Sequence, residues 1–263
     1  MILQEFLPPP VLADVVSSIT VLQVDRLLGE WDVPLVAKAM PSIVYQSSGP
    51  GTRLLLYGQN VAPMVVKAEG HLTLVAWFLK PHGLGPLFGI RADEATDLGV
   101  DLDHLPLVRE MGLRERLDGA VTANERVRLM EAFLIRLCAV AREGNRIAGY
   151  AAQLIAGGNG MLAMRWLQEE LRMTERSLQR LFAEHVGLSP KGYSRVCQFQ
   201  AAFRQLSIGN FLRLSDVAYD NGYADQSHLI RAFREFTGLT PTEYIERTAA
   251  FLAGVALEPG GTR

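Results

Sequence analysis

Laid on itself at an offset of 51 residues, the last third of this chain repeats: Thr174 meets Asp225, Leu178 meets Leu229, Arg180 meets Arg231 and Phe182 meets Phe233. Further on, Gly187 meets Gly238, Pro190 meets Pro241 and Tyr193 meets Tyr244. Thr and Asp are helix N-cap residues, whose side-chain oxygens accept from the open N–H groups of a first turn. Leu and Phe four positions apart line one helical face. Both copies then close with Gly-Leu-(Ser/Thr)-Pro, in which glycine takes the left-handed conformation that ends a helix and proline enters the next one. The same helical unit is built twice.

The second copy, Leu214 to Pro241, reads as a helix-turn-helix. Ser215 can cap its first helix, with Val217, Ala218 and Tyr219 toward a core and Gly222 as terminator. Asp225 then caps a second helix in which Leu229, Ala232, Phe233 and Phe236 recur at helical spacing, which leaves Gln226, Ser227, His228 and Arg231 on other faces. What differs between the copies is the exposed face: Glu175 against Gln226, Arg176 against Ser227, Ser177 against His228, Gln179 against Ile230. A shared core under divergent surfaces implies two non-identical readouts.

With 263 residues the chain has room for two domains, and its 49% hydrophobic and 21% charged residues are those of a globular protein. No apolar run reaches the roughly 18 residues of a membrane helix. Glu5 and Pro8-Pro9-Pro10 stand where a secretory signal would place basic and then apolar residues, so the chain reads as cytoplasmic. Cys138 and Cys197 lie in apolar helical patterns, as buried reduced thiols do. The formal net charge is -2, and residues 160–247 hold eleven Lys/Arg against ten Asp/Glu. Any affinity for nucleic acid must come from local placement of charge.

Residues 1–80 read as β-rich, with apolar runs at Ser42–Tyr45, Leu54–Tyr57, Met64–Val66 and His71–Leu79 between Pro and Gly breaks. In the longest run Thr73, Val75 and Trp77 alternate with Leu72, Leu74, Ala76 and Phe78, so that strand is expected to be buried on both faces. Leu84 to Leu105 reads as short helical turns, with Asp93, Glu94 and Asp97 placed as first-turn acids. Asn124 is a candidate cap for a long helix with an apolar stripe of Val127, Met130, Phe133, Leu134, Leu137, Val140 and Ala141. That stripe either packs on the β-domain or pairs with its copy in a dimer. A helix from Arg146 to Ala156 ends in Gly157-Gly158-Asn159-Gly160, which reads as a linker and divides the chain into domains 1–159 and 160–263.

The arrangement of the second unit, with Val217-Ala218, Gly222-Tyr223, Asp225-x-Ser227-His228, Arg231-x-Phe233 and Gly238-x-Thr240-Pro241, resembles the DNA-binding domain of the AraC/XylS family of bacterial transcription regulators. The resemblance covers about residues 161–247. It implies an α+β chain: an N-terminal β-rich, barrel or cupin-like domain with helices, followed by an all-α domain of two helix-turn-helix motifs on a connecting helix. It further implies that the two recognition helices enter successive major grooves of double-stranded DNA, about 34 to 36 Å apart. The matching exposed positions are Arg176, Gln179 and Arg180 in the first unit and Gln226, Ser227, His228 and Arg231 in the second. Arg can pair twice with guanine and Gln twice with adenine. Lys191 and Arg195 are candidates for phosphate contacts, which position a protein without reading sequence. Arg180 and Arg231, present in both copies, suit a structural role as well, and His228 suits a helix-end hydrogen bond. The resemblance also implies RNA polymerase, a second copy of the chain in a homodimer, and a small-molecule effector as partners, with the direction of regulation open.

For an effector, Tyr45, Tyr57 and Trp77 are candidate pocket residues, each an apolar body with a polar edge, although aromatic residues in strands are commonly core. No cofactor or metal is expected: His71, His82 and His104 are too widely spaced for a cupin metal centre. No Gly-x-Ser-x-Gly elbow occurs, and Gly83-Leu84-Gly85 lacks the lysine of a phosphate loop, so no catalytic residue is assigned. Two other readings stay open at this point. One is a regulator that answers to a protein partner without any small ligand. The other is a barrel enzyme or ligand carrier whose helical end is an interaction module.

Overall fold

The computed structural model describes residues 1–27, 29–49, 51–209 and 211–256. Strands β1 (Ile2–Phe6), β2 (Val16–Val24), β3 (Glu30–Leu35), β4 (Ser42–Ser48), β5 (Gly51–Tyr57), β6 (Met64–Glu69), β7 (Leu72–Leu79) and β8 (Gly99–Asp101) make two antiparallel sheets. The larger has the order β1-β2-β7-β4-β5-β8; β3 and β6 form the smaller. As the apolar run of β7, interrupted by Thr73 alone, leads one to expect, that strand is central and buried on both sides. One face carries Ile19, Val21, Ile43, Tyr45, Leu54, Val75 and Trp77. The other carries Val24, Val44, Leu72, Leu74 and Ala76, which pack with Val66 and Ala68 of the small sheet.

The helices that follow the sheet are α1 (Leu84–Phe88), α2 (Ala92–Ala95), α3 (Pro106–Glu110), α4 (Leu113–Gly119) and α5 (Ala123–Val140). Val127, Met130, Phe133, Leu134 and Leu137 of α5 are buried in the same core as Trp77 and Tyr45, so this stripe is covered by the chain's own sheet and not by a second copy. Val140 lies outside the stripe at 74% exposure, because the helix ends there. The cap is Thr122, whose Oγ1 accepts from the Glu125 N–H at 3.1 Å; Asn124 is already inside the first turn. Asp93 and Glu94 do occupy the first turn of α2. Asp97 does something else: from a left-handed backbone its carboxylate accepts from the N–H groups of Val61 and Ala62, tying two loops together.

Helices α6 (Arg146–Gly157), α7 (Met164–Leu171), α8 (Glu175–Val186), α9 (Pro190–Ile208), α10 (Leu214–Asp220), α11 (Gln226–Thr237) and α12 (Pro241–Ala256) build the helical half. The repeat is real in three dimensions. Phe182 and Tyr193 meet edge to face at 5.9 Å and 62°, and their counterparts Phe233 and Tyr244 do the same at 5.8 Å and 68°. Thr174 accepts from the Ser177 N–H and Asp225 from the His228 N–H, while Gly187 and Gly238 both take positive φ. In the second unit Val217 and Ala218 are buried, but Tyr219 is 65% exposed, on the outer side of a helix only two turns long. Arg213 holds the N-cap position of α10, its N–H donating to the Asp216 carboxylate at 3.1 Å, so Ser215 is not the cap.

The glycine cluster after α6 is a folded turn. The N–H groups of Gly158, Asn159 and Gly160 donate back to Leu154, Ala156 and Ile155, and a Cβ on Gly160 would lie 2.0 Å from the Ser194 carbonyl oxygen. Glycine is needed there for a close approach to α9, not for slack. Ala151, Ala152 and Ile155 of α6 share the core of α8, α9 and α11, together with Ala37 and Ala39 from the segment between β3 and β4. The helical half thus begins with α6, and the two halves interlock.

Candidate nucleic-acid interface and interdomain cavity

Each of the two units presents the first turns of its second helix to solvent. On α8, Leu178, Phe182 and Val186 are buried while Glu175, Arg176, Gln179 and Arg180 are exposed. Gln179 Nε2 donates to Glu175 Oε1 at 3.0 Å, one turn away. Arg176, Arg180 and Lys191 have no ion-pair partner among the described residues, so their charges are available. On α11, Gln226, Ser227, His228 and Arg231 are exposed over a buried row of Leu229, Ala232, Phe233 and Phe236. His228 combines roles: its ring stands edge to face on Tyr223 at 5.2 Å, and its Nδ1 accepts from the Ala224 N–H at 3.5 Å. The ring therefore braces the turn that aims α11. Burial pushes the Tyr223 hydroxyl far above its ordinary pKa, so it stays protonated.

Arg195 is tied down, in an ion pair with Glu235 and over the Phe236 ring at 5.8 Å. It links α9 to α11 across 40 positions, which makes it a brace between the units before it is a phosphate contact. Two positions on these faces escape a search for ion pairs and amides. Glu175 and Ile230 occupy the same surface as the candidate readers, and only superposing the copies brings them out. An apolar side chain such as Ile230 can meet a thymine methyl group.

The aromatic candidates separate. Tyr45 and Trp77 are on the sheet face turned to α5, fully buried; the Tyr45 hydroxyl donates to Asp118 at 3.0 Å and Arg126 lies over its ring at 5.3 Å. They are core, not pocket. Strand alternation sends Tyr57 to the opposite face, where it lines a cavity of about 610 Å3. That cavity is walled by the sheet (Leu22, Val44, Leu74, Phe78), by β3, and by Phe203, Tyr244 and Arg247 of α9 and α12. Alternating with the buried Ala37 and Ala39, Lys38 turns into it. Its Nζ is 3.7 Å above the Phe78 ring, and no carboxylate pairs with it among the described residues. Desolvation by burial holds its pKa below the ordinary lysine value, with Glu5 opposing from a distance. A second interdomain cleft, of about 920 Å3, is lined by His82, Lys80, Arg142 and α6. The His82 ring packs on Gly149, where a Cβ would come within 2.7 Å of it, and its buried Nδ1 has no partner.

Among the described residues no group of His, Cys, Asp and Glu could hold a metal, and no helix is long and apolar enough to cross a membrane. Burial raises the Cys197 thiol to about 12, which makes it unreactive.

Residues 167–247, spanning both units, match the model of a helix-turn-helix domain family. The transcriptional activator RhaR of Yersinia pseudotuberculosis is 27% identical over 158 residues, 54% of this chain and 52% of that protein. The helical part of the chain is thus a helix-turn-helix domain similar to those of transcription regulators. Residues 4–101, which carry most of the large sheet and the whole of the small one, match a domain of unknown function (DUF6597). The uncharacterised transcriptional regulatory protein YesN of Bacillus subtilis is 27% identical over 115 residues, 42% of this chain and 31% of that one. The chain spans about half the length of the RhaR relatives it matches. ToxT from Vibrio cholerae has the same two-part fold, with a TM-score of 0.50, 11% identity, and coverage of 87% of this chain and 97% of that one.

Proposed function

We propose that this chain is a sequence-specific DNA-binding transcription regulator whose activity is set by a small apolar carboxylate held in the interdomain cavity. What carries the reading is the duplicated unit, in which two superposable cores offer two different solvent faces, Arg176, Gln179 and Arg180 on one and Gln226, Ser227, His228 and Arg231 on the other. Lys191 supplies a phosphate contact at the start of α9. The relatives named above are transcription regulators, and the proposal involves no catalysis.

The effector follows from the cavity. A desolvated Lys38 with no carboxylate partner among the described residues, lining a largely apolar chamber, favours an anion with a hydrophobic body, because the charge gains a partner and the body displaces water from apolar walls. A ToxT structure with a TM-score of 0.50 was solved with (E)-4-(8-methylnaphthalen-1-yl)but-3-enoic acid bound, a ligand of that chemical class. A second copy of the chain and RNA polymerase are the protein partners of this reading, and the cytoplasm is its compartment. The two domains divide just before α6, around residues 141–145.

In vitro selection from a random duplex library tests the function. Enrichment of a bipartite site with two dissimilar halves about one helical turn apart is the expected result. Recovery of no enriched sequence, with retention lost uniformly as salt rises, would overturn it.

A further inference from the structure

The first recognition helix carries a residue of the wrong sign for a DNA-binding surface. Glu175 is exposed at the start of α8, beside Arg176 and one turn before Gln179 and Arg180. A carboxylate there repels phosphates and lowers affinity for every sequence alike. The corresponding residue of the second unit is the neutral Gln226. An acid in a first turn also favours the helix, yet α8 already has its cap in Thr174, and α11 is built without any first-turn acid.

We propose that Glu175 is a base-reading residue that selects cytosine at one position of the first half-site, with Gln179 as its positioning partner. The inference rests on the DNA-binding reading above. A carboxylate only accepts hydrogen bonds. In the major groove guanine presents N7 and O6, both acceptors, and thymine presents the O4 acceptor. Adenine offers its N6 amino group beside the N7 acceptor, whereas cytosine offers the N4 amino donor with no acceptor next to it. Cytosine is thus the one base whose edge a carboxylate meets without facing a lone pair. The Gln179 amide, donating to Glu175 Oε1 at 3.0 Å, holds one oxygen and leaves Oε2 to turn to the base. Gln179 commits one of its two amide N–H groups to Glu175, which holds the two side chains together as a unit. The pair therefore works as one acceptor-rich reader. In the second unit Gln226 and Ile230 stand at these two places, so this chemistry belongs to the first half-site alone.

The test is duplex selection with the full chain, comparing the wild type, Glu175→Ala, Glu175→Gln and Gln226→Ala. The wild type should prefer cytosine at one position by about fivefold or more, the lower end of what a good base contact gives. Glu175→Ala should abolish that preference while leaving the other positions intact. Glu175→Gln should move it toward adenine, and Gln226→Ala should change a position in the other half only. An unchanged base profile with uniformly tighter binding in Glu175→Ala would overturn the proposal and leave Glu175 as a helix-end acid. Enrichment of no sequence by the wild type would overturn it together with the function on which it rests, and that outcome is told apart because the variants then match the wild type.

Discussion

The Thr96 hydroxyl donates to the Gly187 carbonyl oxygen at 2.7 Å, joining residues 91 positions apart. Gly187 ends the first recognition helix with φ of 89°, and a Cβ added there would lie 2.6 Å from the Ala92 carbonyl oxygen. The sheet-bearing half thus grips the first unit at the position where its recognition helix stops. Gly187→Ala should destabilise the protein by about 1 to 3 kcal/mol through the left-handed backbone alone, and more through the clash. Thr96→Val, which leaves the carbonyl without its partner, should cost about 1 to 3 kcal/mol. Urea denaturation of the full chain measures both, with Gly187→Ala expected to be the worse.

Arg176 and Lys191 should separate reading from holding. Arg176→Ala is expected to relax discrimination at one base position by about 1 to 3 kcal/mol. Lys191→Ala should instead weaken binding to all sequences and reduce the dependence of log affinity on log salt by about one. Titrations on the selected site and on a scrambled one, at several salt concentrations, give both numbers. Equal losses on both duplexes for Arg176→Ala would remove it from the readers.

Lys38 should decide whether the cavity takes an anion. Decanoate at 100 times its Kd should stabilise the folded chain by about 2.7 kcal/mol. Lys38→Met, which keeps the packing on Phe78 and removes the charge, should weaken decanoate by about tenfold or more and leave decanol unaffected. Thermal shifts with the acid and the alcohol make the comparison.

His82 predicts an acid limit. Desolvation, with Lys80 and His185 adding like charge, holds its pKa below the ordinary value. The unfolded chain then takes up the proton more readily than the folded one, so the contribution is fully present above about pH 6.5 and is lost as pH falls from there through the lowered folded value. Denaturation followed from pH 8 to pH 5 should show stability declining on the acid side, and His82→Gln should flatten that decline.

Legibility in the sequence tracked the range of the interactions. Both helix-turn-helix units were readable because caps, left-handed glycines and entry prolines act within a few residues, and the repeat doubled each of those signals. Where two polar residues competed for one cap, proximity to the apolar pattern misled: Thr122 and Arg213 hold the ends that Asn124 and Ser215 were expected to hold. Strands β1, β2 and β3 lie within the stretch expected to be β-rich without being placed one by one, while β8 lies where helical turns are expected, because a three-residue edge strand, GVD, carries no alternation to read. Alternation in β4 and β5 announced two faces, but which of them met a helix and which a cavity depended on α5 and β3 arriving from elsewhere, and so Tyr45 parted from Tyr57. Gly160 was the hardest case. A glycine that yields to a neighbouring backbone and one that loosens a linker look the same until Ser194 is seen beside it.

Gly238, the counterpart of Gly187, also faces the sheet-bearing half, with the Pro63 ring 3.5 Å from where its Cβ would be. Both recognition helices therefore end against the same sheet-bearing half, which acts as a caliper holding two jaws. Such a molecule has little freedom to follow changes in the rotational phasing of its two half-sites. Five base pairs inserted between them, about half a turn of the duplex, would carry one half-site to the far side of the helix, beyond what the clamped pair can span.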